Sequence, residues 1–158
     1  MLVVRDLGPD DWPEWRLVRL AALAESPHAF TTQLSDWQGD SDTEQRWRDR
    51  LASVPFNVVA QLGDRAVGMV SAMQDENNGS VELLSLWVAP DARGSGVGDA
   101  LVDAVVGWAR DQAARSLRLR MVEGNGPAEH LYRRHGLRRS VHDAPGRGDL
   151  EVAMARDL

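Results

Sequence analysis

The chain has no cysteine, no lysine and a single tyrosine among its 158 residues. Without cysteine there is no disulfide, no thiolate metal site and no cysteine nucleophile; the composition agrees with a reducing cytoplasm without requiring one. Without lysine, all 18 basic residues are arginine, which excludes a Walker-type phosphate loop, since that loop reaches its nucleotide with a lysine. No apolar run approaches the roughly 18 residues needed to cross a bilayer, and no basic, apolar and small-residue leader opens the chain. The expectation is a soluble cytoplasmic protein with no membrane partner. Positive charge is scarce as well. A net charge of −6 argues against a nucleic-acid partner, because general binders use a positive footprint to displace counterions from phosphate. The same charge would draw in cationic small molecules more readily than anionic ones.

What is present suits one domain spanning residues 1–158, with 43% apolar residues to supply its core. No repeat, linker or shift in composition divides it. Residues 2–5 read as a short strand ended by Gly8-Pro9. Asp10 and Asp11 offer an N-cap to a helix running to about Ala24, with Trp12, Trp15, Val18 and Ala22 at helical spacing. Pro27 breaks it. Ser41 followed by Glu44 forms a capping-box pattern for a second helix containing Trp47 and Leu51. Strands follow at 57–62 and 65–73, joined by Gly63-Asp64, and at 81–89 after the Asn77-Asn78-Gly79 turn. Val97, Leu101, Val102, Val105 and Trp108 mark a helix. Ser116–Val122 alternates apolar residues with arginines as a half-buried strand. Pro127 opens a further helix stopped by Gly136. Strands at 137–141 and 150–154, around an Ala144-Pro145-Gly146 turn, close the chain. The order β-α-α-β-β-β-α-β-α-β-β predicts a mixed α/β sheet in a three-layer α/β/α arrangement.

Between the 81–89 strand and the helix that follows stands Arg93-Gly94-Ser95-Gly96-Val97-Gly98. Glycines without Cβ let main-chain N–H groups turn toward a ligand. The first turn of a helix adds unpaired donors and about half a unit of positive charge. Together these make an anion site, to which Arg93 adds a full charge. The dinucleotide pattern fails because Asp99 stands where its third glycine belongs, and a nucleophile elbow fails because Arg93 precedes Ser95 by two.

This loop, led in by Val88-Ala89-Pro90-Asp91, resembles the acetyl-CoA signature of the GNAT (GCN5-related) N-acetyltransferase superfamily, (Gln/Arg)-x-x-Gly-x-(Gly/Ala). A second block is similar to the same family's Asn-x-x-Ala-x-x-x-Tyr-x-x-x-Gly-Phe pattern. It comprises Asn125-Gly126-Pro127-Ala128 and then Leu131-Tyr132-Arg133-Arg134-His135-Gly136-Leu137, departing only in Leu137 for phenylalanine. The resemblance covers the whole layout, and residues 81–137 in detail, and points to a bacterial member of the family.

The resemblance implies an acetyl-CoA-dependent N-acetyltransferase, with acetyl-CoA as cosubstrate and no metal. Amides of Arg93, Gly94, Ser95, Gly96, Val97 and Gly98 would hold the CoA pyrophosphate. The strands at 81–89 and 116–122 would splay at their C-terminal ends, so that Leu86, Trp87 and Val88 present main-chain groups to the pantetheine arm and an N–H to the thioester oxyanion. Asn125 and Ala128 would border the thioester end, and Arg134 or Arg133 the 3′-phosphate. Tyr132 matches the family's general acid, a phenol of pKa about 10 facing a thiol of about 8.5. Glu82, the lone charge in an apolar strand, is the candidate base that deprotonates the incoming ammonium. His28 and Phe30, in the break between the early helices and near Trp37, and Glu123, beside Asn125, are candidates for binding the acceptor. The four histidines show no metal spacing.

Three functions remain open on these residues. The first is acetyl transfer to a primary amine of a small molecule by direct attack in a ternary complex. The second is acetylation of a protein N-terminus or lysine. The third is non-catalytic acyl-CoA binding, which the joint presence of Asn125 and Tyr132 disfavours. A homodimer through exposed tryptophans or the terminal strand is a further expectation.

Overall fold

A computed structural model of the chain describes residues 1–30, 32–140 and 151–158. Strand β1 (Leu2–Asp6) leads through a 3-10 turn at Pro9–Asp11 into helix α1 (Trp12–Glu25). Three further 3-10 turns, at Pro27–Ala29, Leu34–Trp37 and Gly39–Ser41, connect it to α2 (Glu44–Ser53). Strands β2 (Phe56–Leu62), β3 (Arg65–Asp75) and β4 (Ser80–Val88) follow, then α3 (Val97–Asp111), β5 (Ser116–Val122), α4 (Gly126–Arg134), β6 (Arg138–Arg139) and β7 (Glu151–Asp157). The expected order of elements is the observed one.

The seven strands form one sheet in the order β1-β2-β3-β4-β5-β7-β6. Its pairs are antiparallel except β4 with β5. The layers can be read from β3. Gly68 faces α3, where an added Cβ would sit 3.0 Å from Leu101 and 3.1 Å from Val97. Ser71, three residues on and therefore on the opposite face, meets Arg50 of α2. Helices α1 and α2 thus cover one face and α3 the other, with α4 packed beside α3. Coverage on both faces explains why β2 runs apolar without alternation: Val58, Val59 and Ala60 are all fully buried. Trp15 and Trp47 are completely enclosed between the early helices and the sheet, and Trp47 lies 4.2 Å from Trp37, ring centre to ring centre.

Several expectations need correcting. The cap of α2 is Thr43, whose hydroxyl accepts from the Arg46 N–H, and Ser41 belongs to the preceding turn. The intervening Asp42 is engaged elsewhere, accepting from Arg16 at 2.8 and 2.5 Å and from the Trp47 indole at 2.8 Å. Asp11 stands at the N-cap position of α1 as expected, but its carboxylate serves the preceding 3-10 turn, accepting from the Gly8 N–H. No tryptophan is exposed, and β7 lies between β5 and the short β6, which pairs with it at Met154 and Ala155 among the described residues. Leu137 is buried ahead of the two-residue β6. Val141, His142, the 144–146 turn and Leu150 lie outside the described residues. Among the described residues no helix is long and apolar enough to cross a membrane.

Candidate active site

The parallel pair is short. Residues 80–83 of β4 pair with 116–119 of β5, and there the ladder stops. Strand β4 nevertheless continues along β3 to Val88, and β5 along β7 to Val122. Their C-terminal ends therefore diverge, each held by its other neighbour. A bulge drives the divergence: Met69 faces Trp87 and Ser71 faces Leu84, so Ser85 and Leu86 together oppose one residue of β3. Ser85 adopts φ +57° there. A bulge bends its strand and sharpens the local twist, which turns β4 away from β5.

The gap opens into a cavity of about 990 Å³. Its walls include residues 82–88 of β4, Arg120, Met121 and Val122 of β5, and Asn125, Ala128 and Tyr132 of the α4 segment. At one mouth stand Gly94, Gly96 and Gly98, where α3 begins. Gly94 and Gly96 have φ of +80° and +87°, a region that other L-residues reach only with strain. Gly98 is needed for a different reason: an added Cβ would lie 3.0 Å from Leu131, so its hydrogen lets α4 pack on α3. Val97 is core, and the Ser95 hydroxyl donates to the Ala92 carbonyl. These two residues can offer a ligand only their main-chain amides.

The loop fits a diphosphate through its main chain, since the two arginines expected at phosphate are already engaged. Arg93 donates to both Glu25 carboxylate oxygens, at 2.9 and 3.1 Å, and to the Val88 carbonyl at 3.0 Å. Glu25 also accepts from the Trp87 indole at 3.0 Å and from the Ser26 hydroxyl. Burial disfavours the charge on Glu25, but these hydrogen bonds and Arg93 outweigh it and hold its carboxyl below the ordinary value. One carboxylate thus ties the end of α1 to the base of the glycine loop. Arg134 reaches the cavity but donates to Asp99 at 3.1 and 3.3 Å, and Asp99 also meets the His135 ring at 2.8 Å. His135, foremost, and Arg134 keep Asp99 ionised below the usual carboxylate range. Arg133 pairs with Glu129 and does not line the cavity.

At the reacting end, Asn125 caps α4: its side-chain oxygen accepts from the Ala128 N–H at 3.3 Å, which leaves its NH₂ to the cavity. Tyr132 is buried, 6% exposed, and burial pushes its phenol above the ordinary value. Glu82 is half-buried on the cavity wall. Phe30 lines the cavity; His28 is exposed and does not, and Glu123 is exposed and paired with Arg139 at 3.1 Å. Neither His28 nor Glu123 is brought into the site. Among the described residues no cluster of three or more His, Cys, Asp or Glu could hold a metal.

Among the wall residues that sequence reasoning missed are two arginines, Arg19 and Arg50. Arg19 follows Trp15 by four and precedes Ala22 and Leu23 by three and four, in the apolar stripe of α1; Arg50 follows Trp47 by three on α2. Charge in an apolar stripe was the available signal.

The fold and these motifs have close counterparts. The Acetyltransferase (GNAT) family model matches residues 15–137. A mycothiol acetyltransferase of Pseudarthrobacter chlorophenolicus is 30% identical over 133 residues, 82% of this chain and 40% of the relative. A streptothricin acetyltransferase of Streptomyces lavendulae is 35% identical over 100 residues, 63% of this chain and 52% of the relative. The chain therefore spans about half or less of the length of these curated relatives. The PaiA N-acetyltransferase of Thermoplasma acidophilum, solved in complex with coenzyme A, superposes with a TM-score of 0.78 at 13% identity, covering 100% of this chain and 99% of that one. The strand order, the open parallel pair and the glycine-capped helix are thus those of a known fold, and the chain belongs to the GNAT acetyltransferase family.

Proposed function

We propose that this domain transfers an acetyl group from acetyl-CoA to a primary amine of a small molecule, with both substrates bound together. The observation that carries the reading is the β4–β5 gap, which leads from the glycine-lined start of α3 to a buried tyrosine. Acetyl-CoA supplies the activated thioester, and the chain supplies position and protons.

Amides 94–98 hold the diphosphate. Leu86 lies in the bulge, outside the register with β3, and is the main-chain contact for the pantetheine arm. The Val88 carbonyl already accepts from Arg93, so Val88 is the lesser partner. The Asn125 NH₂ steadies the arm near the thioester. Glu82 accepts the proton that the ammonium must lose, directly or through water, since a protonated amine has no lone pair. Tyr132 delivers a proton to the departing thiolate, and the second proton shed by the acylated nitrogen restores the phenol. Its raised pKa keeps it in the donor form, and exclusion of water lets the transfer run with C–S cleavage. The small-molecule acceptor is supported by the two curated relatives, named for mycothiol and streptothricin.

The test is an amine library with acetyl-CoA, read by release of free CoA, comparing wild type with Tyr132→Phe and Glu82→Gln. Tyr132→Phe should lower turnover by about 10- to 1,000-fold, the size of a general-acid effect, with CoA affinity preserved. Unchanged turnover removes Tyr132 from the mechanism. CoA binding without transfer to any amine would return the domain to acyl-CoA binding alone.

A further inference from the structure

The α1–α2 side of the cavity carries two arginines that no carboxylate among the described residues neutralises. Arg19, from α1, is 7% exposed and lines the cavity, and its Nη1 is buried with no hydrogen-bond partner. Its guanidinium lies 4.9 Å from the centre of the Phe30 ring. Arg50, from α2, donates to the Asn57 side-chain oxygen at 3.0 Å and to the Ser71 hydroxyl at 3.1 Å, and lies 5.3 Å from the Trp15 ring. Asn57 and Ser71 are themselves buried and bonded to each other at 2.7 Å. Neutral partners hold both guanidiniums in place, and none cancels their charge. Among the described residues neither arginine forms a salt bridge.

Two like charges sharing a buried wall repel each other and lose hydration, and burial is the larger cost. Both side chains are pulled down to about 10, by burial foremost and, for Arg19, by Arg50 next. Both stay charged at neutral pH. The fold retains an electrostatic penalty that an arriving anion would relieve.

The position suits an acceptor. Ser71 pairs with Leu84, and Glu82 stands two residues from Leu84 on the same face of β4. Strand spacings place the Ser71 and Glu82 backbones about 8 Å apart. One small molecule can span from a guanidinium above Ser71 to an amine near Glu82. We propose that the acceptor is an amine that also bears a carboxylate, held by Arg19 and Arg50; this rests on the amine-acetylation reading above. It reverses the preference for a cationic partner suggested by net charge: the local field, not the total, selects the ligand.

The test compares free L-amino acids with their carboxamides, which keep the amine and lose the carboxylate, for wild type, Arg19→Met and Arg50→Gln. For wild type, KM should be about 10- to 100-fold lower for the carboxylate-bearing partner, the range of charge-assisted hydrogen bonds. Arg19→Met should erase that difference while leaving CoA affinity unchanged, and should melt at a higher temperature than wild type. A purely structural arginine would lower the melting point and affect both acceptor series alike. Equal KM for acid and amide with efficient acetylation would overturn the anion site and leave amine transfer standing. If no amine is acetylated, amine transfer falls. Thermal shift with free amino acids and succinate then decides the anion site: stabilisation of wild type but not of Arg19→Met supports it, and none overturns it.

Discussion

Gly96→Ala tests the physical basis of the glycine loop. Gly96 has φ +87° and ψ 4° at the N-cap of α3, and nothing lies within 4 Å of the Cβ that alanine would add. The substitution is therefore sterically free inside the protein and costly only to the backbone, by about 1–2 kcal/mol for an L-residue held in that region. In a domain of this size that corresponds to a fall in Tm of roughly 2–8 °C. The open space around the new methyl is the cavity mouth itself, so the group stands where a diphosphate must approach. Losing even one charge-assisted bond from a loop amide weakens Kd by about tenfold or more. Gly63 provides the matched control: it turns the β2–β3 hairpin at φ +62°, also with nothing within 4 Å, away from the cavity. Both alanine variants should melt lower, by thermal unfolding followed by circular dichroism. Only Gly96→Ala should lose CoA affinity in titration calorimetry. If Gly96→Ala loses stability as Gly63→Ala does yet binds CoA within twofold of wild type, the loop does not hold the diphosphate.

Tyr132 has its phenol raised by burial, so the proton-donating form persists as pH climbs; kcat should show no falling limb near pH 10, and one centred there would contradict the assignment. The same shift contributes stability that is complete below about pH 10 and is lost above it, as the unfolded phenol ionises first. Asp42 is held down to about 2, by Arg16 foremost and then by Trp47. Its stabilisation is complete above about pH 4 and is lost as pH falls toward 2, so Asp42→Asn should lower Tm at pH 7 and flatten the acid limb of the stability curve. Gly68→Ala would place a Cβ 2.9 Å from the Trp87 carbonyl and 3.0 Å from Leu101. Overpacking of this kind costs about 1–3 kcal/mol, measurable by urea titration, and an unchanged midpoint would show that both β4 at Trp87 and α3 can yield.

The order of elements and the two motif blocks were legible because they are local. A Gly94-x-Gly96 turn and a helix opened by Pro127 are set by neighbours a few residues away. The bulge was not legible: Leu84-Ser85-Leu86 reads as ordinary strand, and only pairing with β3 reveals the extra residue. Nor was the fate of Arg93, whose partner Glu25 lies 68 residues earlier. An arginine beside a phosphate loop reads as a phosphate ligand until a distant carboxylate is seen to hold it. Ser41 read as the cap of α2, but Thr43 holds that place, and the engagement of Asp42 by Arg16 and Trp47 accompanies it. Arg19 stood in plain view within an apolar stripe, but periodicity records where hydrophobic residues recur and passes over a charge among them.

The interruption of the parallel ladder after Leu83 and Leu119 separates two kinds of specificity. The slot it opens is lined by peptide groups, which every residue type except proline supplies alike, so substitutions along it need not alter how a thioester is seated. On the function and acceptor site we propose, choice of the second substrate rests instead on side chains of α1 and α2, among them Arg19 and Arg50. That half of the site can be rewritten by point mutation while the sheet, with its kinked fourth strand, continues to present the same acyl donor.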